Sequence, residues 1–121
     1  FCGPYIVFTN FVNPRCKYPQ ETADKYYKTL VKEGASLGAN CTIVCGTTIG
    51  KNSFVGAGSV VTKDVPDYAL VYGNPAKIKG LMCDCGTKLE FINDKTKCSK
   101  CGMPYVQLNN STVQQLNIYD E

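Results

Sequence analysis

The sequence predicts a mainly β chain, a parallel β-solenoid followed by a small ribbon closed by cysteines. Two patterns carry that expectation. From Val31 to Pro66 the chain divides into six units of six residues (VKEGAS, LGANCT, IVCGTT, IGKNSF, VGAGSV, VTKDVP), each opening on an aliphatic residue. Further along, Cys83-x-Cys85 and Cys98-x-x-Cys101 are separated by twelve residues, and each pair is followed at once by a glycine, Gly86 and Gly102.

A period of six suits neither an α-helix, which repeats near 3.6, nor a flat strand, which repeats at 2. It suits a chain that alternates in and out, kinks once per unit and returns over itself after three units. The fifth position of the units holds Ala35, Cys41, Thr47, Ser53, Ser59 and Val65, a second inward row of small or β-branched side chains. Short strands of a sandwich would not keep this spacing through six units. Upstream, FCGPYIVFTN holds the same register through Cys2, Gly3 and Phe8, and Cys2 and Cys41 read as small core residues. An open lowest coil exposes core and unpaired strand edges, so N-terminal coils are expected to be missing from a chain that begins at Phe1.

Phe8 and Val31 read as the starts of consecutive rungs. The segment between them, about residues 11–29, is then a loop thrown out of the coil and kept irregular by Pro14 and Pro19. Long loops in compact domains often carry function. After Pro66, DYALVYGNPAKIKG reads as a final strand, a Gly-Asn-Pro turn and a short helix, and QLNNSTVQQLNIYDE as a tail that frays. The expected organisation is a solenoid over residues 1–79, a ribbon over 80–105 and a polar tail over 106–121.

Two cysteine turns ending in glycine can present Cys83, Cys85, Cys98 and Cys101 tetrahedrally, as in a structural zinc ribbon in which every ligand position is filled. Two disulfides are the competing reading. Zinc is favoured because no export signal is visible and the other four cysteines are scattered singly. Cys45 points outward beside Gly46, where it either lines a ligand groove or is a surface thiol without a role. No apolar run approaches the roughly 18 residues of a membrane span, so a cytoplasmic chain is expected. Residues 1–79 carry nine basic against five acidic side chains, and residues 80–121 four against five. Any polyanionic ligand should therefore meet the solenoid, and a ribbon already acidic before it gains thiolates is a poor nucleic-acid binder.

These repeats resemble those of the hexapeptide-repeat acyltransferases, whose coils form a left-handed parallel β-helix. The spacing alone does not set the hand, since ordinary crossovers are right-handed. The segments GPYIVFTNFVNPR, TLVKEGASLGANCTIVCG, VGAGSVVTKDVPDYALVYGNPAK and MCDCG…CSKCG are similar to those of bacterial nucleotide-sugar N-acetyltransferases that acetylate the 3-amino group of a UDP-linked diamino-uronic acid in cell-surface polysaccharide (lipopolysaccharide) biosynthesis. One departure is Leu81, where relatives often have Trp. The resemblance implies a homotrimer, with acetyl-CoA in the groove between neighbouring solenoids and a nucleotide sugar near the loop. It implies that Asn10 lies at the sugar amine and that Lys77 stands near the cofactor.

Counting rungs puts Asn10, Cys45 and Lys63 in one column, a route from amine to thioester to the phosphates of CoA, with Gly46 beside it. Lys63 and Lys77 are equally well explained as solvated lysines. Asn13 and Arg15 follow in the loop, where Arg15 either pairs with a sugar carboxylate or phosphate or tethers the loop. The 121 residues include no histidine. The family's O-acyl enzymes generally use His as base, and its carbonic anhydrases use His to hold zinc, so both are disfavoured beside an amine acceptor that needs mainly positioning. The remaining alternatives are another acyl transfer on the same fold, sugar O-acetylation (which a histidine in the missing coils would favour) or N-succinylation, and an inactive solenoid carrying an interaction ribbon.

Overall fold

The computed structural model describes residues 1–18, 27–108 and 113–116. No helix occurs among them, and hence none long and apolar enough to cross a membrane. Seven two-residue strands come first: β1 (Val7–Phe8), β2 (Leu30–Val31), β3 (Ser36–Leu37), β4 (Thr42–Ile43), β5 (Thr48–Ile49), β6 (Phe54–Val55) and β7 (Val60–Val61). They pair in parallel with the strand three rungs on, so that Val31 lies against Ile49, Leu37 against Val55 and Ile43 against Val61. One circuit therefore takes 18 residues. Phe8 pairs with Ile43, which makes Phe8 and Val31 the starts of consecutive rungs, as expected.

Both inward rows are buried from Ala35 onward, whereas Phe8 and Val31, at the end of the stack, are 47% and 38% exposed. Leu37, Ile43, Ile49, Val55 and Val61 are at most 1% exposed and form one core with Ala35, Cys41 and Val65. Burying each large aliphatic side chain contributes on the order of 1.5–3 kcal/mol. Hydroxyls are tolerated in the second row because each bonds the carbonyl three residues back: Thr47 to Val44 at 2.9 Å, Ser53 to Gly50 and Ser59 to Gly56 at 2.7 Å. The corners are made by Gly34, Asn40, Gly46, Asn52 and Gly58, all with positive φ and all six residues apart. Coils stack tightly at the glycines that follow aliphatic residues: a Cβ on Gly50 would lie 2.5 Å from the backbone nitrogen of Asp67.

Three expectations fail here. Cys2 bridges to Leu37 in the right register but is exposed, because it lies at the end of the stack with no described residue packed beneath it. The short helix after the Gly-Asn-Pro turn is instead the second arm of a hairpin, β8 (Ala69–Gly73) with antiparallel β9 (Ala76–Met82). β9 finds its partner in β8, and β8 itself continues the stack by pairing with β6. The tail does not fray throughout, since β13 (Val113–Gln115) adds to β12 (Pro104–Gln107), anchored by buried Val113. The tail beyond residue 116 and loop residues 19–26 lie outside the described residues. β10 (Lys88–Leu89) pairs with β9, and β11 (Lys95–Lys97) with β12. The sheet β10-β9-β8-β6-β3 thus runs from the coils into the cysteine module.

Candidate functional site

A cleft of about 360 Å³ opens where the last rung meets the hairpin. One wall is residues 61–65, the other Pro75, Ala76, Lys77 and Ile78. Local sequence explains both. VTKDVP departs from the preceding units by ending in Pro66, and Asp64 at its corner accepts a hydrogen bond from the Thr48 backbone nitrogen at 2.8 Å. Val61 of the last rung and Val71 of β8 line the cleft between these walls. Lys63 and Lys77 therefore line one cleft with an apolar floor, two cations and one carboxylate, Asp64, already engaged by Thr48 N, which suits an elongated anionic ligand with an apolar portion.

Asn10, Cys45 and Lys63 each follow by two residues the paired positions Phe8, Ile43 and Val61. The Cys45 backbone nitrogen donates to Thr9 Oγ1 at 3.0 Å, holding the end of β1 against the β4 rung. Asn10 is exposed, as are Asn13 and Arg15 in the loop. Cys45 departs from its expected outward setting. It is 5% exposed, because the Thr9 segment lies over its backbone and Tyr27, returning from the loop, lies 3.6 Å from where a Cβ on Gly46 would stand. Asn10, Cys45 and Gly46 are not among the residues lining the cleft.

The four cysteines of the second module come together. Cys83 Sγ lies 3.4 Å from Cys101 Sγ and Cys85 Sγ 3.6 Å from Cys98 Sγ, and all four sulfurs fall within 4.8 Å of one another. Tetrahedral zinc at about 2.3 Å from each sulfur requires separations of about 3.8 Å, so the cluster fits that ion. The thiols are free rather than paired as disulfides. Turns close both knuckles: Gly86 N donates to Cys83 O and Gly102 N to Cys98 O, each at 2.9 Å.

Burial pushes the Cys83 thiol up to about 12, whereas the backbone around Cys101 and Lys100 draws Cys98 down to about 6. A divalent cation would reverse the first effect by coordinating the thiolate. Tyr105 was not singled out from the sequence, because a tyrosine four residues past a cysteine carries no signal of its own. It is fully buried, donates its hydroxyl to Cys83 Sγ at 3.2 Å, and accepts from Asp84 N and Gln115 Nε2. Such outer partners orient metal ligands.

Comparison with known proteins agrees with the repeat. Residues 28–63 match the family described as bacterial transferase hexapeptide (six repeats). The chain is 56% identical over 82 residues to dTDP-3-amino-3,6-dideoxy-alpha-D-galactopyranose 3-N-acetyltransferase of Aneurinibacillus thermoaerophilus, a match covering 68% of this chain and 42% of that protein. It is 44% identical over 78 residues to serine acetyltransferase 2 of Arabidopsis thaliana, covering 64% and 24%. Among solved structures, a hexapeptide-repeat acetyltransferase of Vibrio cholerae O1 biovar eltor complexed with acetyl coenzyme A aligns with TM-score 0.52 at 30% identity, covering 65% of this chain and 47% of that one. The chain thus spans less than half the length of each of these relatives.

Proposed function

Because this chain belongs to the hexapeptide-repeat transferases, we propose that it transfers an acetyl group from acetyl-CoA to the amino group of a nucleotide-linked amino sugar, a step in cell-surface polysaccharide assembly. The observation that carries this reading is the 56% identity over 82 residues to a nucleotide-sugar 3-N-acetyltransferase. The absence of histidine from these 121 residues agrees with it. An amine with a pKa near the roughly 8 of an α-amino group is partly free base at neutral pH, whereas a hydroxyl acceptor needs a base.

In the proposed reaction the amine nitrogen attacks the thioester carbonyl, the C–S bond breaks, CoA leaves as its thiolate, and the amine proton passes to that thiolate or to water. Asn10 accepts one amine N–H through its amide oxygen and points the lone pair at the carbonyl. Lys63 and Lys77 meet the phosphates of CoA in the cleft they share, and Cys45 with Gly46 forms the wall between amine and cofactor. Asn13 and Arg15 face the nucleotide sugar. The sugar named for the bacterial relative is deoxygenated at C6 and bears no carboxylate, so Arg15 is assigned to the diphosphate. Cys83, Cys85, Cys98 and Cys101 hold a structural Zn²⁺ in a zinc ribbon. The coils are left-handed, and three chains associate around the solenoids so that each cofactor groove is completed by a neighbour.

The test is incubation with acetyl-CoA and a dTDP- or UDP-linked 3-amino sugar, read by mass spectrometry of the sugar. One acetyl group held as an alkali-stable amide is expected. An alkali-labile ester, or no acetylation of any amino sugar by a chain that binds acetyl-CoA, would exclude this function.

A further inference from the structure

Tyr68 stands at a corner of the coil. Its φ of 62° matches the conformation of Asn52 one coil below and of Tyr5, at 60°, near the start of the chain, but the Tyr5 ring is 85% exposed whereas the Tyr68 ring is covered. That ring is 5% exposed and is buried in the core of the cysteine module, among Leu81, Cys83, Leu89, Cys98, Tyr105 and Val113. It meets the Tyr105 ring edge-on at 5.4 Å, and the Tyr105 hydroxyl donates to Cys83 Sγ. The Tyr68 backbone nitrogen donates to Lys51 O in the coil below at 2.8 Å, and its carbonyl accepts from Met82 N at 2.7 Å, beside the first cysteine. β9 then runs as one strand from Met82 back to Ala76, with a bulge at Lys79 opposite the Leu70–Val71 step, and its far end carries the cleft wall with Lys77 and Ile78.

From this continuity we infer that Tyr68 is a positioning residue: with metal on the four cysteines, the module grips the Tyr68 ring and so holds the β8–β9 hairpin, and Lys77 with it, against the last rung. Metal site and cleft are then two ends of one strand, about 20 Å apart at the rise of a β-strand. A ligand gripping Lys77 and a metal ordering Cys83 favour the same arrangement of β9, so by linkage each strengthens binding of the other. The inference rests on the metal and cofactor readings proposed above.

Hydrogen–deuterium exchange on the full chain, zinc-loaded and then stripped by a chelator, tests it. Peptides covering residues 69–82 should exchange about tenfold faster without metal, while those covering residues 48–61 stay as they were. In zinc-loaded Tyr68→Ala the hairpin should exchange fast although metal analysis still finds one zinc per chain, and Tyr68→Leu, which keeps apolar volume, is the second variant if Tyr68→Ala does not fold. Acetyl-CoA affinity by calorimetry should weaken about tenfold in the stripped protein and in Tyr68→Ala.

Unchanged protection of residues 69–82 on stripping overturns the clamp, because a ribbon that merely hangs from Met82 would melt alone. A chain that takes up no zinc overturns it together with the metal reading. Faster exchange in a chain that binds zinc but no acetyl-CoA supports the clamp and counts against the acetyltransferase function instead.

Discussion

An amide side chain has no useful basicity at neutral pH, so Asn10 can serve a reacting amine only by directing it. Holding reactants in attack geometry reaches effective molarities of about 10⁵–10⁸ M in favourable cases, and one hydrogen bond supplies part of that. Asn10→Ala should therefore lower kcat about 10- to 100-fold, equivalent to about 1.4–2.7 kcal/mol. The rising limb of the pH–rate profile should stay in place, since the substrate amine supplies it; a limb that vanishes would make Asn10 part of a proton relay. Lys63→Ala and Lys77→Ala should each weaken acetyl-CoA binding by about 3- to 10-fold, with the loss shrinking at high salt, as read by calorimetry at two ionic strengths. That both lysines share a cleft was half legible: the rung count placed Lys63, but only the hairpin brings Lys77 opposite. The corners are legible in the sequence itself, because the fourth position of the units runs Gly34, Asn40, Gly46, Asn52, Gly58, the residues that adopt positive φ at least cost.

The stacked rungs hold together where side chains are absent as much as where they are large. Gly50 sits under the Pro66–Asp67 backbone with no room for a methyl group, so Gly50→Ala must push two coils apart. A loss of about 2 kcal/mol or more is expected in urea denaturation, whereas Gly86→Ala, with open space at its Cβ position, is limited to the strain of its positive φ. The cysteine module depends on its ion instead. Its core is small, and a four-thiolate zinc site supplies on the order of 10 kcal/mol of folding free energy. Cys98→Ser should lose zinc and ribbon structure while the core from Leu37 to Val61 stays folded, checked by metal analysis with exchange mapping.

The pH dependence of metal binding has a definite sign. Without metal, the Cys83 thiol at about 12 is protonated at pH 7, so zinc binding must expel at least that proton. Affinity should then fall as pH is lowered, and calorimetry in two buffers of different ionisation enthalpy should count the protons released. A pH-independent affinity would remove Cys83 from the ligand set.

The whole molecule leaves much apolar surface uncovered. Val7, Phe8, Val12, Tyr27 and Leu30 are each about half exposed or more, on the β1–β2 end and the loop between them. A narrow stack of rungs gains by covering such faces with copies of itself, and closed symmetry is the common way to do so. Light scattering at micromolar concentration should therefore find three chains per particle. A monodisperse monomer would remove the inter-subunit groove and leave the cleft between residues 61–65 and the hairpin as the whole cofactor site.

In a repeat, the neighbour of a residue in space stands at a fixed distance along the chain, so a local pattern encodes long-range contacts. That is why the inward rows, the pairing of Phe8 with Ile43 and the consecutive placing of Phe8 and Val31 could be counted off before any coordinates. It is also why four cysteines in two glycine-closed turns announced one cluster. Once the period ends at Pro66 the rule has nothing to act on. Whether AKIKGLM coils or pairs depends on the partner strand offered by Ala69–Gly73, whether Cys45 is open or covered depends on a loop arriving from elsewhere, and whether a corner tyrosine is exposed depends on the module that folds around it. These outcomes are contact energies between segments that share no period, and they come into being only when the segments meet.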